Sequence, residues 1–99
     1  MRFKQIEKLV IEWGKDRNIY KGSSPKDQAA KLVEEFTELL VATNHYRLSD
    51  MKDAIGDMMV VMTHIAAMID TNLTECYKLA YNEIKDRKGK LENGIFVKE

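Results

Sequence analysis

Ser24-Pro25-Lys26-Asp27-Gln28-Ala29-Ala30-Lys31-Leu32-Val33-Glu34-Glu35-Phe36-Thr37-Glu38 is the stretch on which the fold turns. Ser24 suits an N-cap, Pro25 the first helical position, and Asp27 places negative charge in the first turn. From Ala29, apolar residues follow at Leu32, Val33 and Phe36, and Leu39 and Leu40 continue the face. That is helical periodicity, and it predicts a helix running to about His45.

Upstream, Ile6, Leu9, Val10 and Trp13 form an apolar stripe that predicts a helix from Phe3 to Asp16, weakened at its end by Gly14. Asn18 to Ser24, with Gly22 and two serines, is expected to be a loop. Downstream, Ser49 starts a third helix with Asp50 in its first turn, reaching about Asp70. Asn72 or Thr71 caps a fourth, with Glu75 placed to complete a capping box. Lys85, Arg87 and Lys88 suit the C-terminal end of that helix, and Gly89 its C-cap. Residues 90–99 form a tail with a turn signal at Asn93-Gly94, and Ile95-Phe96-Val97 is placed to pack on the helices or on a partner. Short connections make successive helices antiparallel neighbours. The expected fold is all-α and four-helix bundle-like, in a single domain over 1–99.

Composition narrows the partners. The 99 residues are 44% hydrophobic and 32% charged, the profile of a folded globular chain. Sixteen basic and sixteen acidic residues cancel, so bulk charge favours neither nucleic acid nor an anionic membrane. Cys76 is the sole cysteine, which excludes an internal disulfide and a cysteine-rich zinc site. A free thiol fits a reducing, cytoplasmic setting, and Cys76 is expected to be buried and inert. The N-terminus mixes charged and apolar residues without the apolar core of a signal peptide. Met58 to Ile69 is the longest apolar run; Thr63 and His64 break it, and it is too short to span a bilayer. That run is apolar over nearly the whole circumference of its helix, which predicts a homo-oligomer, a homodimer or a homotetramer, covering part of it.

The chemistry lies in the carboxylates. Glu35 and Glu38 share a face of the second predicted helix, as do Glu34 and Glu38. Leu32 and Leu39 flank Glu35, which puts that residue at the edge of the apolar stripe, where a charge is poorly hydrated. On the third helix Asp50, Asp53 and Asp57 share one face, and Asp57 is expected to lead into buried surroundings. Carboxylates brought together by two antiparallel helices make an all-oxygen site, which selects Mg²⁺ or Mn²⁺ over zinc. Mg²⁺ commonly shares its shell with substrate phosphates. The plainer alternative is a solvated acidic face. Trp13 suits either core packing or stacking on a base. Asn82 suits either a base or sugar contact or an exposed helical position, and His64 a core position or a functional one.

These residues resemble the MazG-like branch of the all-α nucleoside triphosphate pyrophosphohydrolases. The resemblance covers nearly the whole chain. It rests on Trp13 and Arg17, on Lys31 with Glu34-Glu35-x-x-Glu38, on Asp53-Ala54-Ile55-Gly56-Asp57, and on Asn82-Glu83-Ile84-Lys85-x-Arg87. It implies Mg²⁺-dependent hydrolysis of a nucleoside triphosphate to the monophosphate and pyrophosphate. Carried over, Glu35, Glu38 and Asp57 are metal ligands, and Glu34 is a further ligand or orients the attacking water. Lys31, Lys85 and Arg87 become phosphate partners, and Asn82 and Trp13 substrate contacts. Ala54 departs from the pattern, which commonly has an acid there; Asp53, on the Asp57 face, takes the fourth ligand position. A phosphoribosyl-ATP pyrophosphohydrolase-like enzyme and a non-catalytic helical interaction module are the alternatives.

Overall fold

A computed structural model describes all residues 1–99. The chain is mostly helical, 72%, with five helices and a small two-stranded sheet. The helices are α1 (Phe3–Asp16), α2 (Ile19–Gly22), α3 (Pro25–Asn44), α4 (Leu48–Met68) and α5 (Leu73–Ile84). Strands β1 (Gly89–Glu92) and β2 (Ile95–Lys98) follow.

Local chemistry sets most boundaries. Asn18 adopts a left-handed φ of 62°, a conformation asparagine tolerates, and the chain turns there into α2 where the sequence reading expects only loop. The Ser24 hydroxyl accepts a hydrogen bond from Asp27 N at 3.1 Å, capping α3. Tyr46, with φ 51°, closes the tight connection into α4. That helix begins at Leu48, slightly before the expected Ser49. Asn72 Oδ1 accepts from Glu75 N at 2.9 Å and starts α5. A second free donor of that helix end is taken by α1, where Glu7 Oε2 accepts from Leu73 N at 3.0 Å.

The four longer helices do not enclose one common core. α4 is the axis, and α1, α2, α3 and α5 each pack on it. α3 lies along α4 most extensively, whereas α1 and α3 do not pack on each other. The buried apolar residues are Ala42, Ala54, Val61 and Ala66, all on α3 and α4.

Three expectations need correction. On α1 the buried residues are Glu7 and Gly14, while Ile6, Leu9 and Trp13 are exposed. The buried face is therefore turned by one residue from the apolar stripe, because Glu7 must reach α5 and Gly14 must admit His64. α5 ends at Ile84, with Lys85 as its C-cap, so Arg87 and Lys88 lie beyond the helix and Gly89 opens a strand. The tail is an antiparallel hairpin pairing Leu91 with Phe96 and Glu92 with Ile95. Its turn is Asn93-Gly94 with both φ positive (51° and 81°), the backbone a two-residue hairpin demands. Phe96 lies over Gly89, where a side chain would collide with its ring. The hairpin packs on none of the helices.

The molecule is open for its size. Its radius of gyration is 15.7 Å, against about 13 Å for a compact chain of this length. It exposes 8012 Å², whereas a folded monomer of 11.5 kDa exposes about 5,800 Å². No single helix is long and apolar enough to cross a membrane.

Candidate metal centre

Glu35 and Glu38 lie on α3 and Asp57 on α4. The close packing of these two helices brings one carboxylate oxygen from each residue within 4.8 Å of the others. Glu35 is buried, and Glu38 and Asp57 are exposed. Asp57 thus differs from the expectation of a buried residue: the buried positions of α4 other than Ala54 begin at Val61, and Asp57 lies before them.

Glu35 carries the strongest constraint. Its side chain is 10% exposed, and Oε1 faces Lys31 Nζ at 3.5 Å. Its other oxygen, Oε2, is buried with no hydrogen-bond partner. A desolvated carboxylate oxygen without a donor is costly unless a cation or proton meets it. The charges also crowd. The Glu35 carboxylate, followed by partial desolvation and Asp57, holds Glu38 above the usual carboxylate range. Crowded oxygen donors with one free, buried oxygen suit a hard divalent cation.

The cluster opens into a cleft of about 420 Å³ between α3 and α4. Asp53 lines it beside Glu38 and Asp57, and Ala54 is part of its wall. Ala54 is only 2% exposed, so an acid at this position would be held in the helix–helix contact. Asp50 and Arg47 line the same cleft, with Arg47 Nη1 4.0 Å from Asp50 Oδ2. Arg47 is the residue that the sequence reading does not single out. It is the N-cap of α4, with extended backbone just outside the helix, so the helical pattern of Asp50, Asp53 and Asp57 does not mark it.

Other candidates fall elsewhere. Glu34 turns outward to Lys31 at 3.0 Å and is not part of the three-carboxylate cluster. Glu34, then Glu35, holds the Lys31 ammonium above its usual value, so Lys31 stays charged beside the cluster. Trp13 stacks on His64 with ring centroids 6.0 Å apart, and the Arg17 guanidinium lies 4.2 Å over its ring. Its partners are thus of its own chain, two turns along α4 from Asp57. Asn82 is exposed on α5, and Lys85 and Arg87 follow that helix; none of them lines the cleft. Cys76 is exposed, contrary to expectation.

An uncharacterized 18.2 kDa protein from the rep-hol intergenic region of Haemophilus phage HP1 is 40% identical over 62 residues. The match covers 63% of this chain and 38% of the phage protein, well short of that relative's length. No protein-family model matches the chain, and no solved structure matches it.

Proposed function

We propose that the chain is a Mg²⁺-dependent nucleoside triphosphate pyrophosphohydrolase of MazG-like fold, working as a cytoplasmic homo-oligomer and also accepting Mn²⁺. The observation that carries this reading is the unpartnered, buried Oε2 of Glu35 within a cluster that also holds Glu38 and Asp57. Glu35, Glu38 and Asp57 would hold the cation, with Asp53 as a fourth oxygen donor from the cleft wall. When bound, the ion would neutralise charge on phosphate oxygens and polarise a water.

The chain's own groups divide the remaining work. Lys31 fixes one oxygen of Glu35, leaving the other directed to the cation. Glu34 holds Lys31 in place, which suits it less well than Glu38 to touching substrate. Glu38 is exposed at the cleft, so its carboxylate would meet the cation from the solvent side. Arg47 offers a guanidinium to a phosphate in the cleft.

The test is pyrophosphate detection with purified protein, a nucleoside triphosphate panel and Mg²⁺. Pyrophosphate and monophosphate should appear in equal amounts and vanish with EDTA. No release from any nucleotide with either metal would overturn the reading. Ala54, an apolar residue in the cleft wall, favours a second reading, a non-catalytic module whose acidic cleft binds metal. Mg²⁺ binding without hydrolysis would select it.

A further inference from the structure

The carboxylate cluster is short of ligands. Glu35, Glu38 and Asp57 each bring one oxygen to it, all within 4.8 Å of one another. Asp53 lines the cleft but lies outside that group. Ala54 shares the helical face of Asp57, yet offers only a methyl group, 2% exposed in the cleft wall. Lys31 restricts the site further. Its ammonium lies 3.5 Å from Glu35 Oε1, so it offsets part of the cluster's negative charge and leaves Glu35 a single free oxygen. That oxygen, Oε2, is the buried and unpartnered atom that calls for a cation. Glu38 and Asp57 are exposed, and an exposed carboxylate is hydrated without a metal and gains less by binding one. Mg²⁺ demands a near-octahedral oxygen shell and gives up its waters reluctantly. Three protein oxygens leave that shell incomplete.

A polyphosphate entering the same cleft alone fares no better. Glu38, Asp50, Asp53 and Asp57 stand on the wall against the guanidinium of Arg47. Arg47 is itself 4.0 Å from Asp50, so part of its charge is already offset. Phosphate oxygens are repelled by such a wall. A cation at Glu35, Glu38 and Asp57 would remove that repulsion, and phosphate oxygens would complete the cation's shell. The cleft, about 420 Å³, has room for both.

We propose that the cleft takes up a divalent cation and a polyphosphate as one unit, each raising the affinity of the other, with Ala54 and Lys31 as the residues that keep the free site weak. The proposal rests on the metal-site part of the pyrophosphohydrolase reading and adds to it an order of assembly. The free chain is a poor Mg²⁺ binder and a poor phosphate binder, and it holds the pair well. Such coupling is reciprocal, so the gain is the same from whichever ligand it is measured.

The test titrates the full chain with Mg²⁺ alone, with methylenediphosphonate alone and with the two together, following the amide NMR signals of Glu38 and Asp57. Methylenediphosphonate has a carbon in place of the bridging anhydride oxygen, so binding is read without turnover. Each ligand alone should bind weakly, and each should bind about tenfold more tightly or better in the presence of the other. Equal Mg²⁺ affinity with and without the diphosphonate, or no response to the pair, overturns the proposal. Lys31→Gln, at an exposed position, removes the competing ammonium and should tighten the binding of Mg²⁺ alone severalfold. Unchanged or weaker binding there also overturns the proposal. Ala54→Asp supplies the missing oxygen and should tighten Mg²⁺ alone while lowering the coupling. If that variant loses its helices by circular dichroism, the wild-type titration and Lys31→Gln still decide. Coupled binding without pyrophosphate release from any nucleotide supports this proposal and removes the hydrolase reading alone. Pyrophosphate release with uncoupled binding removes this proposal alone.

Discussion

The Tyr20 hydroxyl lies 2.7 Å from His64 Nδ1, tying the short α2 to the middle of α4. His64 is 2% exposed, and the tyrosine ring meets it edge-on at 5.5 Å. The contact belongs to packing and lies apart from the carboxylate cleft. Tyr20→Phe keeps the ring and removes the oxygen, leaving Nδ1 buried without its partner. We expect it to cost about 1–3 kcal/mol by urea unfolding with turnover per folded molecule unchanged. A neutral effect on stability would mean the bond is not formed in solution.

The same histidine gives the fold a pH dependence. Burial holds the His64 imidazole below its usual value of 6.5, and Nε2 is also buried without a partner. Tyr20 and Trp13 face it, with Arg17 beyond Trp13, so no carboxylate is hydrogen-bonded to the imidazole. The unfolded chain therefore takes up a proton that the folded chain resists. This contribution to stability is complete above the unfolded value and is lost as pH falls through it towards the lower folded value. Between about pH 8 and about pH 5, wild-type stability should fall more steeply than that of His64→Gln. Parallel slopes would show that His64 does not carry the effect.

Two glycines should respond to alanine with opposite signs. Replacing a helical glycine by alanine ordinarily gains about 0.5–1 kcal/mol. Around Gly56 nothing lies within 4 Å of an added Cβ, so Gly56→Ala should show that gain. At Gly14 the new carbon would come within 2.9 Å of both His64 Cε1 and Tyr20 Cε2. Those rings are bonded to each other and cannot swing aside independently. Gly14→Ala should lose about 1–3 kcal/mol. Equal gains in the two melting curves would refute the packing described for His64.

How much of this is legible in sequence depends on how local the cause is. The start of α3 is readable because Ser24, Pro25 and Asp27 act within one turn. The pairing of Glu35, Glu38 and Asp57 is readable because helical spacing and a short connection confine where those residues can lie. The outward α1 stripe is not readable, because periodicity marks an apolar face without naming what covers it. What turns α1 is distant in sequence: Glu7 bonds to Leu73 and Gly14 makes room for His64. The hairpin is half visible. Asn93-Gly94 marks its turn, but strands of four residues carry too few alternations to stand out. Asp57 misleads because the apolar run after it suggests burial a turn too early.

The carboxylate cluster makes the sharpest prediction, because its two readings move stability and activity differently. Glu35→Gln, Glu38→Gln and Asp57→Asn are nearly isosteric, and each removes one negative charge. On a merely solvated face the exposed Glu38 and Asp57 would each shift stability by roughly half a kcal/mol or less on substitution, with no link to metal; Glu35 is buried and lies on no such face. In a cation site, turnover should fall by orders of magnitude. The metal-free protein should hold its stability or gain, since like charges crowd there without a cation. Glu35→Gln is the most informative of the three, because it also gives the buried Oε2 position a chance to carry donor hydrogens. Glu34→Gln is the internal control: Glu34 lies outside the cluster and 3.0 Å from Lys31, so it should keep most of the metal response. Asp53→Asn should fall between the two groups if Asp53 supplies the donor that Ala54 lacks. Melting temperatures with and without Mg²⁺, beside turnover, read all five variants. An unchanged Mg²⁺ shift and near-normal turnover in both Glu35→Gln and Asp57→Asn would end the metal-site assignment.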